Sequence, residues 1–237
     1  MSFLILVRHG QSTWNLENRF TGWVDIDLTE KGESEAEKAG LLIKEKNIQI
    51  NFYYSSVQLR ANNTLKIIQK VLNDKKIFYR AWQLNERHYG SLTGLNKIET
   101  SKKIGKDKVY EFRRSWDVKP EALSKESPYH PTNIETYKNI PKEVIPNTES
   151  LKDTYERVTK YFEEEIKDKL KDKNILISAH GNSIRALCKK LFDLDNNQIS
   201  SLEIPTGNPL AIELDTNLKI LKCEYLDKER AKDLVVF

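Results

Sequence analysis

Residues 3–10 read Phe3-Leu4-Ile5-Leu6-Val7-Arg8-His9-Gly10. The five apolar residues lack the alternation of a half-buried strand, and they predict a strand buried on both faces, as in a parallel sheet. A second predicted buried strand, Ile175–Ala179, is followed by His180-Gly181-Asn182. Sites in parallel sheets lie just beyond the carboxyl ends of the strands. If these two strands are neighbours, both imidazoles therefore face one space.

The two histidines, together with Arg8 and the adjacent glycines, are suited to a phosphate pocket. An anion binds to several fixed donors and an excess of positive charge, and glycine lets the backbone approach a ligand. Two other interpretations stay open here. Each histidine can be a hydrogen-bonded residue at a strand end, or the histidines can bind a metal. The sequence disfavours a metal site, because its four histidines (9, 88, 130 and 180) have no HExxH or carboxylate spacing.

Predicted strands alternate with predicted helices along most of the chain. This alternation predicts a three-layer α/β/α fold with a central, mainly parallel sheet. Residues 91–147 differ, because two short predicted helices (96–104 and 107–115) precede a loop-rich stretch that contains most of the prolines. We expect a single domain over residues 1–237 with a helical and loop-rich cap inserted at about 91–147. The other predicted strands are 52–54, 77–82, 209–214 and 219–225, and the other predicted helices are 29–46, 58–72, 151–166 and 183–192.

Composition places the chain among ordinary globular proteins. Hydrophobic residues make up 38% and charged residues 31%, which is too apolar for a disordered chain. The net charge of +4 is small beside 39 basic and 35 acidic residues. It does not indicate nucleic-acid binding, and it suits a small anionic substrate.

The cysteines and apolar runs indicate a cytoplasmic location. Cys188 and Cys223 lie far apart without paired spacing, which argues against a disulfide framework or a zinc site and favours a reducing compartment. The apolar run at residues 3–7 is too short for a signal peptide. No run approaches the ~20 apolar residues that a membrane span needs, so we expect no association with a membrane.

Motifs over nearly the whole chain resemble one family. The two longest are Arg8-His9-Gly10-Gln11-Ser12-Thr13-Trp14-Asn15 and Leu84-Asn85-Glu86-Arg87-His88-Tyr89-Gly90-Ser91-Leu92, the latter continuing through Gly94-Leu95-Asn96-Lys97. Shorter matches are Phe20–Trp23, Ser56 with Arg60-Ala61, Arg113–Val118, Glu149–Thr154, Ala179–Ser183 and Ile204–Gly207. In this order they resemble the histidine phosphatase superfamily and, within it, the cofactor-dependent phosphoglycerate mutases. Departures are Gln11, where many members have glutamate, Thr148, where glycine is common, and the lack of a longer Lys- and Gly-rich tail that some members carry.

The resemblance implies roles for five catalytic residues. His9 is expected to be the phosphorylated nucleophile, since neutral imidazole is nucleophilic near pH 7. Arg8, Arg60 and His180 are expected to hold the transferring phosphoryl group, whose charge spreads over its oxygens in the transition state. Glu86 is expected to exchange a proton with the substrate hydroxyl. An ion pair between Glu86 and Arg87 is the alternative for that carboxylate.

The resemblance also implies a binding set, a cofactor and partners. The expected cofactor is 2,3-bisphosphoglycerate without a metal, and the expected substrates are small phosphoglycerates. A homodimer or higher homo-oligomer is expected, with no nucleic acid. The expected substrate-binding residues are Ser12, Asn15, Thr21, Gly22, Tyr89, Lys97, Arg113, Arg114, Gly181 and Asn182.

Two other functions could be served by the same residues. A histidine phosphatase would share the nucleophile but would not need the cations of Lys97, Arg113 and Arg114. A non-catalytic binding protein would require loss of a catalytic residue, and none is lost. The resemblance therefore implies interconversion of 2- and 3-phosphoglycerate in glycolysis and gluconeogenesis, with bisphosphoglycerate mutase and phosphatase side activities.

Overall fold

A six-stranded sheet forms the centre of the computed structural model, which describes residues 1–231. The strands run in the order β3-β2-β4-β1-β5-β6. The pairings from β3 to β1 are parallel, whereas β5 and β6 join antiparallel. The prediction of a mainly parallel sheet is therefore confirmed. The strands are Ser2–Arg8 (β1), Phe52–Ser55 (β2), Phe78–Arg80 (β3), Ile175–Ala179 (β4), Leu210–Leu214 (β5) and Ile220–Tyr225 (β6).

Strands β1 and β4 are neighbours at the middle of the sheet, and their register sets the site. Arg8 lies opposite Ala179, and the His9 amide donates to the Ala179 carbonyl at 2.9 Å. Both strands thus end at the same edge of the sheet, and the residue that follows each of them is a histidine. The β1 side chains alternate between two buried clusters, which explains why its sequence is apolar throughout.

Helices cover both faces of the sheet, as the α/β/α prediction requires. On one face α2 and α3 pack together over Ile5 and Val7. On the other face α6 and α7 pack over Leu4 and Leu6. The α-helices are Thr13–Leu16 (α1), Glu30–Glu45 (α2), Leu59–Leu72 (α3), Lys97–Ile104 (α4), Lys106–Arg114 (α5), Leu151–Tyr161 (α6), Gly181–Phe192 (α7) and Asn196–Ser201 (α8).

Local side-chain chemistry explains where several helices begin. The hydroxyl of Thr29 accepts from the Gly32 amide at 3.1 Å at the start of α2. Ser150 and Asp153 form a reciprocal capping box at the start of α6, a pattern visible in the sequence. Such caps stabilise a helix because they satisfy amides that have no partner within it.

Several elements differ from the sequence prediction. The strand expected at 77–82 is only Phe78–Arg80, because the chain turns into a 3-10 helix at Trp82–Leu84. The long helix expected from residue 151 ends at Tyr161 and continues as a π-turn, Phe162–Ile166. Helices α1 and α8 were not expected, since they span four and six residues and are too short for a periodic pattern.

Residues 91–147 contain α4, α5 and a series of 3-10 turns at Pro131–Asn133, Glu135–Tyr137 and Lys142–Val144. Val109 of α5 packs with Phe20 and Leu92 in one buried cluster, and Tyr137 packs with Trp23 in another. Within residues 1–231 every helix falls short of the length and apolarity that crossing a bilayer requires. Residues 232–237 lie outside the part of the chain that the structure describes. The prediction about the C-terminal tail falls on these residues.

Candidate active site

The imidazole of His9 lies just beyond the end of β1 and is held from both sides. The side chain is 2% exposed. Its Nδ1–H donates to the Gly10 carbonyl at 2.7 Å, and Nε2 accepts from Arg60 Nε at 3.3 Å. Because a carbonyl can only accept, this contact places the proton on Nδ1 and leaves the lone pair on Nε2.

His180 occupies the equivalent position after β4 and is fully buried. Its Nε2 is hydrogen-bonded to the hydroxyl of Ser56 at 2.8 Å. Burial, followed by the charge of Arg60, lowers the pKa of both His180 and His9 well below the usual value. Both rings are therefore neutral near pH 7, the form in which imidazole is a nucleophile.

Arg60 and Arg8 place positive charge beside this pair. Arg60 lies in the first turn of α3, and its two terminal nitrogens donate to the carbonyls of Gly22 and Val24, each at 3.0 Å. Arg8 Nη1 donates to the Ile204 carbonyl at 2.7 Å, whereas its Nε is buried and has no hydrogen-bond partner among residues 1–231. Such a donor is available to an oxygen-rich ligand.

Glu86 faces the same space, and its two oxygens have different surroundings. Oε1 accepts from the Arg87 amide at 2.7 Å, the Asn182 amide at 3.3 Å and the Asn182 side-chain amide at 2.8 Å. A Cβ on Gly181 would lie 3.8 Å from Oε2 and 3.6 Å from Arg8 Nε. Glycine at 181 therefore keeps the space beside Oε2 open.

The alternative of an ion pair between Glu86 and Arg87 does not occur among the residues that the structure describes. The Arg87 guanidinium instead lies 4.7 Å from the centre of the Tyr89 ring and donates to the Arg113 carbonyl at 3.0 Å. It therefore supports the cap helix α5 rather than the carboxylate.

A cavity at this edge of the sheet brings together most of the residues that were selected from the sequence. Ser12 and His180 lie outside its lining, since both are fully buried. Ser12 caps α1 by accepting from the Asn15 amide at 3.4 Å. The selected residues that line the cavity are Arg8, His9, Asn15, Thr21, Gly22, Arg60, Glu86, Tyr89, Lys97, Arg113, Arg114, Gly181 and Asn182.

Helices α4 and α5 supply cations to the lining of the cavity. Burial lowers the pKa of Lys97 from its usual value, and its ammonium lies 5.7 Å from the Phe20 ring centre. Arg114 pairs with Glu203 and donates to the Leu202 carbonyl at 3.4 Å. The Arg113 guanidinium makes no hydrogen bond within residues 1–231. Arg113 is therefore freer than Arg114 to bind a ligand.

Sequence reasoning missed five lining residues: Arg19, Arg185, Leu202, Glu203 and Ile204. Arg185 lies one helical turn after Asn182, so the spacing on α7 could have indicated it. Residues 202–204 follow α8 and reach the cavity only through tertiary packing, for which the sequence carries no local signal.

Basic side chains on the lining outnumber its two carboxylates, Glu86 and Glu203, which suits a polyanionic ligand.

No group of three or more His, Cys, Asp or Glu side chains in residues 1–231 is arranged to hold a metal ion. Positive charge at the site is instead supplied by arginine and lysine side chains.

Comparisons with known proteins agree with the geometry. The model of the histidine phosphatase superfamily (branch 1) matches residues 4–130 and 124–223. A 2,3-bisphosphoglycerate-dependent phosphoglycerate mutase of Pelagibacter ubique is 67% identical over 238 aligned positions that cover 100% of both chains. The enzyme of the same name from Borreliella burgdorferi is 49% identical over 95% of this chain and 92% of its own.

Solved structures share the fold at low identity. A mycobacterial glucosyl-3-phosphoglycerate phosphatase, in complex with VO3, superposes with a TM-score of 0.70 at 19% identity, covering 95% of this chain and 98% of its own. The Bacillus stearothermophilus protein YhfR gives a TM-score of 0.69 at 23% identity, with 93% and 94% covered. The chain thus belongs to branch 1 of the histidine phosphatase superfamily and, within it, to the family of 2,3-bisphosphoglycerate-dependent phosphoglycerate mutases.

Proposed function

We propose that this protein interconverts 2-phosphoglycerate and 3-phosphoglycerate through a phosphohistidine at His9, primed by 2,3-bisphosphoglycerate, in glycolysis and gluconeogenesis. The observation that carries the proposal is the position of His9 Nε2. This atom holds the lone pair of a neutral ring on the wall of a cavity that Lys97 and Arg113 also line. The names of the 67% and 49% identical relatives support the same reaction.

His9 is proposed to act as the nucleophile that accepts the phosphoryl group. The Gly10 carbonyl keeps the proton on Nδ1 and can stabilise positive charge as Nε2 forms its bond to phosphorus. In the structure Nε2 accepts a hydrogen bond from Arg60. We infer that Arg60 transfers this donation to the phosphoryl oxygens when a substrate binds.

Arg8, Arg60 and His180 are proposed to hold the transferring group, and Glu86 is proposed to move the proton. The fixed charges of Arg8 and Arg60 stabilise the charge on the phosphoryl oxygens in the transition state, and the neutral His180 ring can donate a hydrogen bond to them. Oε1 of Glu86 already accepts three N–H groups, so Oε2 is the oxygen that can give a proton to the leaving hydroxyl and take it from the attacking one.

The lining fits 2,3-bisphosphoglycerate as primer. Arg8 Nε and Thr21 Oγ1 are buried polar atoms without a hydrogen-bond partner, and both residues line the cavity. A bisphosphorylated glycerate carries roughly −4 to −5 charges at pH 7, from ~−1.5 to −2 per phosphate and one carboxylate. Lys97, Arg113 and Arg114 would hold the end of such a ligand away from His9, with Asn15, Gly22, Tyr89, Gly181 and Asn182 as neutral contacts.

Hydrolysis is the second candidate activity, and it shares the phosphohistidine. We infer that water can reach the phosphohistidine if the bisphosphorylated ligand leaves before it has reoriented. Bisphosphoglycerate mutase and phosphatase side reactions are therefore proposed as minor outcomes. The cations of the cap favour the mutase, because they can retain the bisphosphorylated species while it reorients.

The proposal extends to the organisation and the location of the protein. The chain forms one domain in which residues 91–147 are the cap. A homodimer or higher homo-oligomer is supported by the family and by exposed apolar side chains beside the edge strand β3, where Ile77 is 88% and Tyr79 51% exposed. A cytoplasmic location is supported by the free thiols of Cys188 and Cys223.

An isomerase assay tests the proposed reaction. Purified protein is given 3-phosphoglycerate in EDTA, with and without 2,3-bisphosphoglycerate, and 2-phosphoglycerate is measured. Turnover that depends on the primer and persists in EDTA supports the proposal. Vanadate should inhibit it, since vanadate adopts the pentacoordinate geometry of phosphoryl transfer. Release of inorganic phosphate without isomerisation would instead identify the protein as a phosphatase.

A further inference from the structure

Arg185 is a buried cation at the edge of the cavity that the reaction outlined above does not use. It lies in α7, three residues after Asn182, and is 5% exposed. Its Nη1 donates to Asn182 Oδ1 at 3.0 Å, and its Nε donates to the Ile199 carbonyl at 3.1 Å. Its Nη2 also donates to the Ile199 carbonyl. The guanidinium is thus fixed between two helices, α7 and α8.

Burying the guanidinium of Arg185 costs free energy, which indicates a role other than packing. No carboxylate forms an ion pair with Arg185 in the part of the chain that the structure describes. Burial and the nearby charges of Arg114 and Arg87 lower the pKa of Arg185 to about 9. A buried cation without an ionic partner is rare, because its desolvation is compensated only by hydrogen bonds.

The guanidinium determines which way the Asn182 amide faces. A guanidinium has donors only, so the atom that faces Arg185 must be the amide oxygen. The Nδ2 amide group then faces the opposite direction, where it donates to Glu86 Oε1 at 2.8 Å and to the Tyr89 hydroxyl at 3.1 Å. A reversed amide would place its oxygen against the Glu86 carboxylate, which is repulsive.

The Asn182 side-chain amide adds to an inequality between the two oxygens of Glu86 that two backbone amides already create. Oε1 accepts three N–H groups, two of them from Asn182, and has no free lone pair directed at a substrate. Oε2 remains beside the gap left by Gly181, near Arg8 Nε. The proton that Glu86 exchanges is therefore confined to one oxygen, which lies within the phosphoryl site.

We propose that Arg185 is a positioning residue for proton transfer: it fixes the Asn182 amide, which holds Glu86 with Oε2 directed at the leaving and attacking hydroxyls. The inference rests on the proposed function, in which Glu86 is the acid and base. It assigns Arg185 no contact with the transferred phosphoryl group. Its loss should therefore slow only those transfers that need a proton.

Phosphoryl donors with different leaving groups distinguish a role of Arg185 in proton transfer from a role in the folded site as a whole. Phosphorylation of His9 by 2,3-bisphosphoglycerate expels an alkoxide, which must be protonated as the bond breaks. Phosphorylation by p-nitrophenyl phosphate expels nitrophenolate, which leaves without a proton. The experiment measures single-turnover phosphorylation of His9 by each donor at saturation, in wild type and in Arg185→Met. Lys190→Met is the matched control, because Lys190 is an exposed cation on the same helix that pairs with Glu163 at 3.0 Å.

We expect Arg185→Met to reduce the saturating rate with 2,3-bisphosphoglycerate by about 10- to 100-fold, a part of the ~10²–10⁴-fold that a positioned acid contributes. The rate with p-nitrophenyl phosphate should change less than about twofold, and Arg185→Lys, which keeps a donor for Asn182, should recover part of the loss. Lys190→Met should resemble wild type with both donors. In an Asn182→Ala background, Arg185→Met should have little further effect, since residues that act through one another are not additive.

Three results would overturn the proposal. Equal losses with both donors would mean that Arg185 supports only the folded site. A weaker affinity for 2,3-bisphosphoglycerate with an unchanged saturating rate would mean that it binds the ligand directly. Additive effects with Asn182→Ala would exclude action through Asn182. If wild type itself is not phosphorylated by 2,3-bisphosphoglycerate but is by p-nitrophenyl phosphate, the proposed mutase function fails instead.

Discussion

The rings of His9 and His180 lie 5.0 Å apart, centre to centre, at an interplanar angle of 60°. They come from adjacent parallel strands, each of which places a histidine directly after its last residue. At this separation two imidazolium rings would repel each other, and the nearby arginines add to that repulsion. The pair is therefore stable as two neutral rings, one of which presents a lone pair to the cavity.

Replacing Glu86 tests its proposed role as the proton carrier. In Glu86→Gln the carboxamide oxygen can take the place of Oε1 and keep its three hydrogen bonds, whereas the amide nitrogen replaces Oε2 and cannot exchange a proton. We expect kcat for isomerisation to fall by about 10²–10⁴-fold with little change in the thermal unfolding midpoint. Glu203→Gln, the same change at the other carboxylate of the lining, is the control. A loss below tenfold in Glu86→Gln would assign the proton to another group.

The cap arginines are expected to differ in how well they retain the bisphosphorylated intermediate. Arg114 already pairs with Glu203, whereas the Arg113 guanidinium has no hydrogen bond among residues 1–231. Arg113→Ala should therefore weaken retention more than Arg114→Ala does. One charge-assisted hydrogen bond contributes roughly 1.5–3 kcal/mol, or about 10- to 100-fold in retention.

Phosphate release and isomerisation measured in the same reaction test this difference. Phosphate released per isomerisation should rise above wild type in both variants and should be higher in Arg113→Ala. An unchanged ratio, with both activities falling together, would show that these arginines serve phosphoryl transfer itself or only the fold.

Buried neutral histidines predict a loss of stability in mild acid. The pKa values of His9, His88 and His180 are all lowered, that of His88 to about 3 and mainly by burial. Below pH 6.5 the unfolded chain binds a proton at each of these residues while the folded chain does not. The free energy of unfolding therefore falls as pH falls through 6.5, by up to about 1.4 kcal/mol per pH unit for each histidine.

Urea unfolding at pH 7.5, 6.5 and 5.5 measures this slope. His88→Gln removes one of the three groups without touching the nucleophile, so its proton uptake on unfolding should be lower by about one. Equal slopes for wild type and His88→Gln would mean that His88 titrates alike in both states.

The parts of the fold and site that the sequence predicted are those with local signals. The strands before His9 and His180 are continuous apolar runs, and their common edge follows from the rule for parallel sheets. The Ser150 and Asp153 capping box was likewise visible, because its residues lie three apart. These features need no knowledge of what packs against them.

The features that the sequence did not predict depend on distant contacts. Glu203 reaches the cavity because α8 packs beside α5, where it pairs with Arg114. Arg185 follows Asn182 by one helical turn, but its burial against the Ile199 carbonyl of α8 does not follow from that spacing. The strand at β3 ends early because the chain turns into the 3-10 helix Trp82–Leu84 directly after Ala81, whose amide still donates to the Ser55 carbonyl. Periodicity and propensity carry no information about such pairings.

The most direct test of the central claim is to trap the phosphoenzyme and compare its rate of formation with turnover. Protein mixed with radiolabelled 2,3-bisphosphoglycerate is quenched at millisecond intervals, and the label on His9 is followed beside isomerisation under the same conditions. The account predicts an acid-labile, base-stable label on His9 that forms at least as fast as the enzyme turns over, and neither label nor isomerisation in a folded His9→Ala variant. Label that persists in His9→Ala, or that forms more slowly than 2-phosphoglycerate appears, would contradict it.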